Sequence, residues 1–312
     1  MDRAREKAPA PKGSADRLSG VFAPVVTPFR RDDLDLDALR RNLRRLAGTG
    51  LRGYLALGSN GEFRSLSEAE EARVLSVFAA EKTDKVVMVG VGCESTHQTV
   101  EKARRAAAMG FEFASVLTPH YFPKNIGDGA LHDFFSRVAD GSPVPILLYN
   151  APGFTGGVAV SPACVVRLAA HANIVGMKDS SSAGPGAFLA QLAQDASFSV
   201  LAGSASFFYP SLLLGAAGGV LSMANYLPDP CCELYRLTRD GSRGSLRRAA
   251  ALHRTIVRIN SAVSGRFGVA GVKTAMDLSG FRGGEPRHPL RPLTDDDREA
   301  VRQALREAPD AA

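Results

Sequence analysis

The sequence predicts an α/β fold, a (β/α)8 TIM barrel with a C-terminal helical extension. Eight short runs rich in Val, Ile, Leu or Phe alternate with longer amphipathic segments, the pattern of parallel strands covered by helices on both faces. The 312 residues also exceed the roughly 250 residues that such a barrel needs. The regular spacing of the eight units favours closure into a barrel over an open doubly wound sheet.

The eight apolar runs predict the barrel strands. They span residues 21–26, 53–57, 86–91, 113–117, 144–149, 174–177, 198–201 and 219–221. Such runs are typical of strands that are buried on both sides. Between them, apolar residues recur at spacings of three and four, as at Leu36, Leu39 and Leu43, which predicts helices.

Start and stop signals mark the ends of several predicted helices. Ser65 and Glu68 form a capping-box pattern after the second strand, and Ser95 precedes the helix after the third strand. Gly48 and Gly110 supply C-terminal stops, because glycine adopts the conformations that end a helix. These signals support a helix after each of the first three strands.

The predicted barrel covers residues 19–227 and is flanked by two other regions. Residues 1–18 are polar and rich in Pro and Ala, which predicts a flexible N-terminal tail. Residues 228–312 predict helices only, with 246–263 the longest and 295–306 the last. We expect this C-terminal region to pack on the barrel.

Composition indicates an ordinary globular protein. Apolar residues make up 45% and charged residues 22% of the chain, far from the signature of disorder. The net charge of +6 comes from scattered basic residues rather than from one stripe, so no nucleic-acid partner is expected. No apolar run approaches membrane-spanning length and the N-terminus lacks an apolar leader, so neither secretion nor a membrane partner is expected.

The cysteines and histidines indicate neither a disulfide framework nor a metal site. Cys93, Cys164, Cys231 and Cys232 contain no CxxC pair and have no histidine at metal-ligand spacing. The six histidines form no HExxH pattern, and the glycine-rich turns match neither a phosphate-binding loop nor a dinucleotide-binding fingerprint. We therefore expect reduced thiols, a cytoplasmic location, and chemistry without a metal or cofactor.

Polar residues at the predicted strand ends are the candidates for chemistry, because the active sites of such barrels lie at the carboxyl ends of the strands. The segments there are 58–62 (GSNGE), 118–121 (TPHY), 149–152 (YNAP) and 178–180 (KDS). Among them, Lys178 is one of only eight lysines. In apolar surroundings its amine could lose a proton and form a Schiff base with a ketone. A lone lysine at a strand end more often extends its nitrogen to water.

Tyr149, Ser59 and Asn60 each have two interpretations as well. A phenol next to Lys178 can shuttle protons, or it can pack on the barrel rim. Ser59 and Asn60 can present hydroxyl, amide and backbone N–H groups to a carboxylate, or they can form an ordinary turn between two glycines. None of these residues decides the question alone.

Taken together, the four segments resemble the family of dihydrodipicolinate synthase and N-acetylneuraminate lyase, which are Schiff-base aldolases. Within that family the chain is similar to 4-hydroxy-2-oxoglutarate aldolase of the mitochondrial type. The matching stretches are LGSNGEF (57–63), GCEST (92–96), NIVGMKDS (173–180), LAGSASF (201–207), GAAGGV (215–220) and RFGVAGVK (266–273). The resemblance implies the barrel fold and an active-site lysine.

The resemblance also implies roles for individual residues. Lys178 would form the Schiff base, Tyr149 would shuttle protons, and Ser59 would link Tyr149 to a Tyr121 contributed by the partner subunit. Asn60 would help to bind the carboxylate of the pyruvate moiety. Ser180, Gly203, Ser204 and Phe154 would face the distal part of the substrate. A homotetramer, built as a dimer of dimers, follows from the family.

Phe154 departs from the family pattern. Dihydrodipicolinate synthases usually carry an arginine five residues after the shuttle tyrosine, and that arginine binds a substrate carboxylate. A phenyl ring neither pairs with a carboxylate nor donates to it. Lysine biosynthesis is therefore disfavoured, and an aldehyde partner less polar than glyoxylate stays open.

The expected function is cleavage of a 4-hydroxy-2-oxo acid, in the first place 4-hydroxy-2-oxoglutarate, to pyruvate and glyoxylate. One alternative keeps the Schiff base but acts as a dehydratase or hydratase-aldolase on a sugar-derived or aromatic 2-oxo acid. Dihydrodipicolinate synthase is a further alternative, and a pyruvate-binding regulator is the alternative without catalysis. The substrate partner in each case is a small 2-oxo acid.

Overall fold

Eight parallel strands close into one barrel in the computed structural model, which describes residues 14–81, 83–192 and 195–308. The first strand pairs with the second on one side and with the eighth on the other. The strands, β1 to β8, are Gly20–Pro24, Gly53–Ala56, Val86–Gly90, Phe113–Leu117, Ile146–Asn150, Ile174–Asp179, Ser199–Ala202 and Gly218–Val220. The predicted (β/α)8 barrel is confirmed, with strand ends that shift by a residue or two.

Helices α1 to α7 follow β1 to β7. They are Leu36–Ala47, Glu68–Ala80, Thr96–Ala108, Asp128–Gly141, Pro162–Ala169, Gly186–Leu192 and Phe208–Leu213. Ser95 caps α3 as predicted, because its side chain accepts the backbone N–H of Gln98. The predicted stops are also confirmed: Gly48 ends α1, and Gly110 follows the end of α3 with a φ of 80°.

The capping box of α2 lies two residues later than predicted. Ser67 accepts a hydrogen bond from the Glu70 backbone N–H, and the Glu70 carboxylate accepts one from the Ser67 backbone. Ser65 instead ends a 3-10 turn, where its N–H donates to the Glu62 carbonyl. The prediction of Ser65 and Glu68 was wrong because the chain is still turning at Ser65, which the residue spacing does not reveal.

The structure describes the chain on both sides of the two predicted domain boundaries. Of the predicted tail, residues 1–13 lie outside the described residues, Ser14–Arg17 forms a short helix, and Leu18 is fully buried among the apolar side chains inside the barrel. Helix α8, Pro228–Asp240, packs against β1 and α7. Because β8 pairs with β1, this helix covers the last junction of the barrel, although the boundary at residue 227 assigned it to the extension.

The predicted C-terminal extension, residues 228–312, continues after α8. Its further helices are α9 (Arg243–Asn260), α10 (Arg266–Leu278) and α11 (Asp295–Leu305). A π-helical turn, Ser261–Gly265, joins α9 to α10, and Gly268 interrupts α10 with a φ of 56°. Such interruptions often occur at functional sites. None of the helices in the described ranges is long and apolar enough to cross a membrane.

Candidate active site

A cavity of about 720 Å³ opens at the carboxyl-terminal end of the barrel, between the strand ends and the extension. The predicted site residues that line it are Ser59, Asn60, Tyr149, Phe154, Lys178, Ser180, Gly203 and Ser204. The barrel therefore brings every predicted site residue except Tyr121 to one place. In the sequence these residues are spread over about half of the chain.

Lys178 and Tyr149 lie side by side in this cavity. They are register partners on β6 and β5, and the Lys178 Nζ atom lies 4.1 Å from the centre of the Tyr149 ring. Each residue is only 5% exposed. An amino group over the face of an aromatic ring is attracted by the ring quadrupole. The Tyr149 ring therefore holds the lysine nitrogen at the mouth of the barrel.

The Tyr149 hydroxyl faces Ser59, with the two oxygens 3.3 Å apart. Burial by itself would raise the pKa of the Tyr149 phenol. The charge of Lys178 and hydrogen bonds from Ser59, Ser180 and Lys178 outweigh burial, so the pKa of Tyr149 falls below its usual value. A phenol with a lowered pKa exchanges a proton more readily near neutral pH.

One turn of 3-10 helix, Ser59–Gly61, carries Ser59 and Asn60 at the cavity wall. The Asn60 amide donates to the Ser222 hydroxyl at 2.8 Å, just beyond the end of β8. The Thr27 hydroxyl donates to the last carbonyl of the turn at 2.8 Å. The turn predicted between two glycines is therefore present, and its side chains also face the cavity.

A buried network that the sequence interpretation missed lies next to Lys178. Asp179 is fully buried, and its carboxylate accepts hydrogen bonds from Asn150 Nδ2 at 2.7 Å and from the Ser181 hydroxyl at 2.8 Å. Burial raises the pKa of Asp179, although these hydrogen bonds oppose the shift. Asp179 and Asn150 are register partners. Their bond therefore ties β6 to β5 directly beside the Lys178–Tyr149 pair.

Hydroxyl and amide groups line the distal part of the cavity. Ser180 packs against Gly203 so closely that a Cβ at Gly203 would lie 2.0 Å from the Ser180 oxygen, so only glycine fits there. Asn260 donates to Ser206 Oγ at 2.9 Å and lies 3.5 Å from Ser204 Oγ. This wall can donate and accept hydrogen bonds without carrying a charge.

Some cavity residues were not predicted. Ser222 follows β8, whereas Asn260, Ser264 and Phe267 come from the extension. Ser222 is the first polar residue after the eighth predicted strand, so the strand-end rule could have found it. The helical pattern of the extension gave no sign of which of its residues cover the barrel.

Tyr121 lies outside the cavity. Its side chain is 74% exposed, and its ring packs edge-on against Phe122 with the ring centres 4.9 Å apart. The Tyr121 backbone N–H donates to the Glu94 carboxylate at 2.9 Å. The backbone is therefore fixed while the ring is uncovered, and within the described part of one chain the predicted link from Ser59 to Tyr121 is not formed.

Charged and apolar side chains both border the cavity. Phe154 is 64% exposed there and presents a phenyl ring to the opening. Arg64 and Arg291 border the same opening. Arg64 is held by Glu94 at 3.3 Å. The opening therefore offers positive charge, but not at the position of Phe154.

This architecture defines a TIM-barrel enzyme, since enzymes of this fold carry their active sites at the carboxyl ends of the strands. The model of the dihydrodipicolinate synthetase family matches residues 17–308. The chain belongs to the dihydrodipicolinate synthetase family and is a lyase.

Three relatives cover almost the whole chain. An uncharacterised DapA-like lyase of Halobacterium salinarum is 39% identical over 96% of this chain and 97% of the relative. A 4-hydroxy-tetrahydrodipicolinate synthase of Methanothrix thermoacetophila is 35% identical over 92% and 95%. A probable mitochondrial 4-hydroxy-2-oxoglutarate aldolase of Emericella nidulans is 31% identical over 93% and 95%. The names of these relatives include two different reactions.

The fold also matches solved structures of the family. One is YagE, a prophage protein of E. coli K12 that belongs to the dihydrodipicolinic acid synthase family and was solved in complex with pyruvate. It matches with a TM-score of 0.84 and 28% identity, over 93% of this chain and 98% of that chain. The match therefore includes the extension as well as the barrel.

Proposed function

We propose that this chain is a pyruvate-releasing aldolase that works through a Schiff base on Lys178. The observation that carries the proposal is the Lys178–Tyr149 contact, in which the amine lies 4.1 Å from the ring centre and the phenol faces Ser59. Covalent catalysis needs a nucleophile beside a proton carrier that a third group orients. Lys178, Tyr149 and Ser59 have that arrangement.

The proposed reaction begins when the neutral amine of Lys178 attacks the C2 carbonyl carbon of a 4-hydroxy-2-oxo acid and water leaves. Tyr149, as its phenolate, takes the proton of the C4 hydroxyl while the C3–C4 bond breaks. The electron pair of that bond moves into the protonated imine, so an aldehyde and a pyruvate enamine form. Tyr149 returns its proton to C3, and hydrolysis of the imine releases pyruvate.

The Ser59–Gly61 turn is the proposed binding site for the carboxylate at C1. Its side chains offer a hydroxyl and an amide to the cavity, and the Asn60 amide is already oriented by Ser222 at 2.8 Å. Neutral donors of this kind bind a carboxylate without placing a further positive charge next to Lys178. The carboxylate would thereby place the C2 carbonyl carbon next to Lys178.

The finer proposal is that the substrate is 4-hydroxy-2-oxoglutarate, which would give pyruvate and glyoxylate. The Emericella nidulans relative bears the name of this activity. Arg64 and Arg291 at the cavity rim can pair with the second carboxylate of this substrate. Phe154 argues against lysine biosynthesis, since it leaves no guanidinium where the synthases usually carry one.

A sugar-derived 2-oxo acid is the second candidate substrate. Ser180, Ser204, Asn260 and Ser264 give the distal wall uncharged hydroxyl and amide groups, which suit a chain of hydroxyls. The volume of about 720 Å³ accommodates a substrate longer than a five-carbon diacid. Measuring aldehyde release and loss of water side by side distinguishes an aldolase from a dehydratase on such a substrate.

We also propose that the chain assembles as a homotetramer, a dimer of dimers, in the cytoplasm. The Tyr121 side chain, 74% exposed beside a Phe122 that is 66% exposed, supports a contact with a second copy at Tyr121. In that assembly Tyr121 would extend the proton relay of Tyr149 and Ser59. The cysteines Cys93, Cys164, Cys231 and Cys232 are unpaired, as expected in a reducing compartment.

The test of the Schiff base combines two assays. Pyruvate release from 4-hydroxy-2-oxoglutarate measures turnover, and borohydride trapping with pyruvate followed by peptide mapping locates the adduct. We expect the adduct on Lys178, and we expect Lys178→Ala to lose both adduct and turnover. Lys85→Ala is the matched control, because Lys85 lies before β3 at the opposite end of the barrel and donates to the carbonyls of Thr49 and Leu51.

An adduct on another lysine, or substantial turnover by Lys178→Ala, would contradict the proposal. An adduct on Lys178 without cleavage of 4-hydroxy-2-oxoglutarate would retain the Schiff base and favour the sugar-derived acids. Pyruvate binding without any adduct or turnover would favour the alternative without catalysis, a pyruvate-binding regulator.

A further inference from the structure

A buried ion pair lies beside the proposed site and takes no part in the chemistry above. Lys273, on α10, is fully buried, and its Nζ atom lies 2.5 Å from Oε1 of Glu62. The Glu62 side chain is only 2% exposed. Moving two charges out of water is costly, so a buried pair is weak evidence of a stabilising role. Stabilisation of the fold therefore does not by itself explain why these two charges are buried here.

Further contacts hold both ends of this pair. Lys273 Nζ donates to the Glu285 carbonyl at 2.8 Å and lies 4.5 Å from the centre of the Phe29 ring. The second oxygen of Glu62, Oε2, accepts the backbone N–H of Arg287 at 2.8 Å. The pair thus joins the turn after β2, helix α10, and the segment that precedes α11.

On the barrel side, Glu62 ends the turn that carries Ser59 and Asn60. Its φ of 52° lies in the left-handed region, which residues other than glycine seldom adopt. Its N–H donates to the Ser59 carbonyl at 3.1 Å. Such a conformation persists when the surroundings hold it in place, and here Lys273 and Arg287 hold the Glu62 carboxylate. The position of Ser59 therefore depends on that carboxylate.

On the other side, Lys273 belongs to the helix that forms the opposite wall of the cavity. Phe267, Gly268 and Val269 line the cavity from the first turn of the same helix. The segment that contributes Glu285 and Arg287 continues to the rim residues Leu290, Arg291 and Leu293. One ion pair therefore sits where two walls of the cavity meet.

We propose that Glu62 and Lys273 are positioning residues for this site. Their ion pair holds the Ser59–Gly61 turn so that Ser59 faces Tyr149, and it fixes that turn relative to the wall that α10 supplies. Glu62 also lines the cavity, whereas Lys273 does not, and the proposed reaction gives neither residue a bond to make or break. The inference rests on the proposed function in one respect, namely that Ser59 acts through Tyr149.

The test uses the double variant Glu62→Met, Lys273→Met in the full chain, because an apolar pair of similar volume can replace a buried ion pair without loss of folding. The matched control is Glu71→Met, Lys102→Met, which removes a 2.7 Å Lys–Glu pair between α2 and α3, outside the cavity. Hydrogen exchange of peptides that cover residues 57–66 reports on the turn. We expect the amides of this turn to exchange about tenfold faster in the test variant and at the wild-type rate in the control.

A second measurement asks whether the pair acts through Ser59. Ser59→Ala is introduced into the wild type and into the double variant, and the rate of pyruvate release is compared. We expect each change alone to reduce kcat about tenfold or more, and Ser59→Ala to cost less than about twofold in the double variant. A pair that only stabilises the fold would leave the effect of Ser59→Ala unchanged.

Equal effects of Ser59→Ala in both backgrounds, or unchanged exchange of the turn, would overturn the inference. If the wild type forms no borohydride adduct, the proposed function fails, and the exchange measurement still decides whether the pair holds the turn. If the double variant does not fold, Glu62→Gln takes its place under the same criteria, because glutamine keeps the shape and an acceptor for the Arg287 N–H.

Discussion

Lys178 and Tyr149 are paired residues on neighbouring parallel strands, and the lysine nitrogen lies 4.1 Å from the centre of the tyrosine ring. Their contact is built from strand register rather than from a loop, so the backbone hydrogen bonds of β5 and β6 fix it. Substitutions at this pair should therefore change the chemistry more than the fold.

Tyr149→Phe should slow cleavage by roughly 10²–10⁴-fold, the range for loss of a positioned proton carrier. The ring that faces Lys178 remains, so borohydride should still trap pyruvate on Lys178. Comparing trapping with pyruvate release checks both statements. Tyr209→Phe is the control, because the Tyr209 hydroxyl donates to the Leu246 carbonyl at 3.2 Å, away from the cavity. Equal losses of trapping and cleavage would contradict a proton-carrier role.

The lowered pKa of Tyr149 predicts the pH dependence of cleavage. The phenolate is the basic form, so kcat/KM should rise with pH through an apparent pKa below that of an ordinary phenol, which is about 10. Ser59→Ala removes one hydrogen bond that lowers this pKa, and the rise should then move to higher pH. Rate profiles of the wild type and this variant test the assignment. An identical profile in both proteins would exclude Ser59 as the partner of Tyr149.

The proposed contribution of Tyr121 across subunits predicts complementation between two defective variants. Tyr121→Phe keeps its own Lys178, and Lys178→Ala keeps its own Tyr121. In a mixed dimer the first subunit would receive Tyr121 from the second, so an equal mixture should recover about a quarter of the wild-type activity after subunit exchange. Size-exclusion chromatography coupled to light scattering supplies the oligomeric state. Mixed oligomers that stay as inactive as the separate variants would show that Tyr121 does not act across the interface.

Phe154→Arg should change substrate preference. A guanidinium at this rim position can pair with a distal carboxylate, so kcat/KM for 4-hydroxy-2-oxoglutarate should rise about tenfold relative to an uncharged 4-hydroxy-2-oxo acid. A competition assay with both substrates measures this ratio directly. Leu214→Arg adds the same charge at another exposed apolar position, outside the cavity, and should leave the ratio unchanged. A similar rise in both variants would show that the added positive charge acts wherever it lies on the surface, and not through the position of residue 154.

Glu70 predicts a pH-dependent difference in stability. Hydrogen bonds from Arg287 lower the pKa of Glu70 from 4.5 to about 2. A carboxyl group whose pKa is lower in the folded state stabilises the fold above its unfolded pKa, and this stability is lost as the pH falls through the folded pKa. Glu70→Gln should therefore reduce the free energy of unfolding by roughly 1–2 kcal/mol at neutral pH, since Glu70 is partly exposed. The difference should shrink between pH 4.5 and about 2.

Denaturant unfolding over that pH range measures the Glu70 effect. Glutamine can keep the capping-box hydrogen bond to Ser67, but its NH2 group cannot accept from Arg287, so the substitution removes the charge together with one Arg287 hydrogen bond. Glu101→Gln is the control, because Glu101 is half exposed and its carboxylate lies 3.4 Å from His97 Nε2. A difference between Glu70→Gln and wild type that is constant with pH would contradict the linkage.

Local patterns were sufficient for the strands and for most of the site. The apolar runs predicted all eight strands, and the strand-end rule placed Lys178, Tyr149, Ser59 and Asn60 in one cavity. These features depend on residues that are close in sequence or that share one end of parallel strands. The start of α2 was predicted wrongly because it depends on the turn at Glu62, which is held by contacts from the C-terminal region.

The sequence by itself determined the barrel, because eight apolar runs alternate with amphipathic helices. It also determined which end of the barrel carries the chemistry, because the candidate polar residues follow the strands. Only the tertiary structure decided which residues of the extension cover the cavity and that Lys273 pairs with Glu62. Such contacts join segments that are distant in the chain, and no local periodicity encodes them. The Lys273–Glu62 pair forms because a buried charge must find a partner within the closed core.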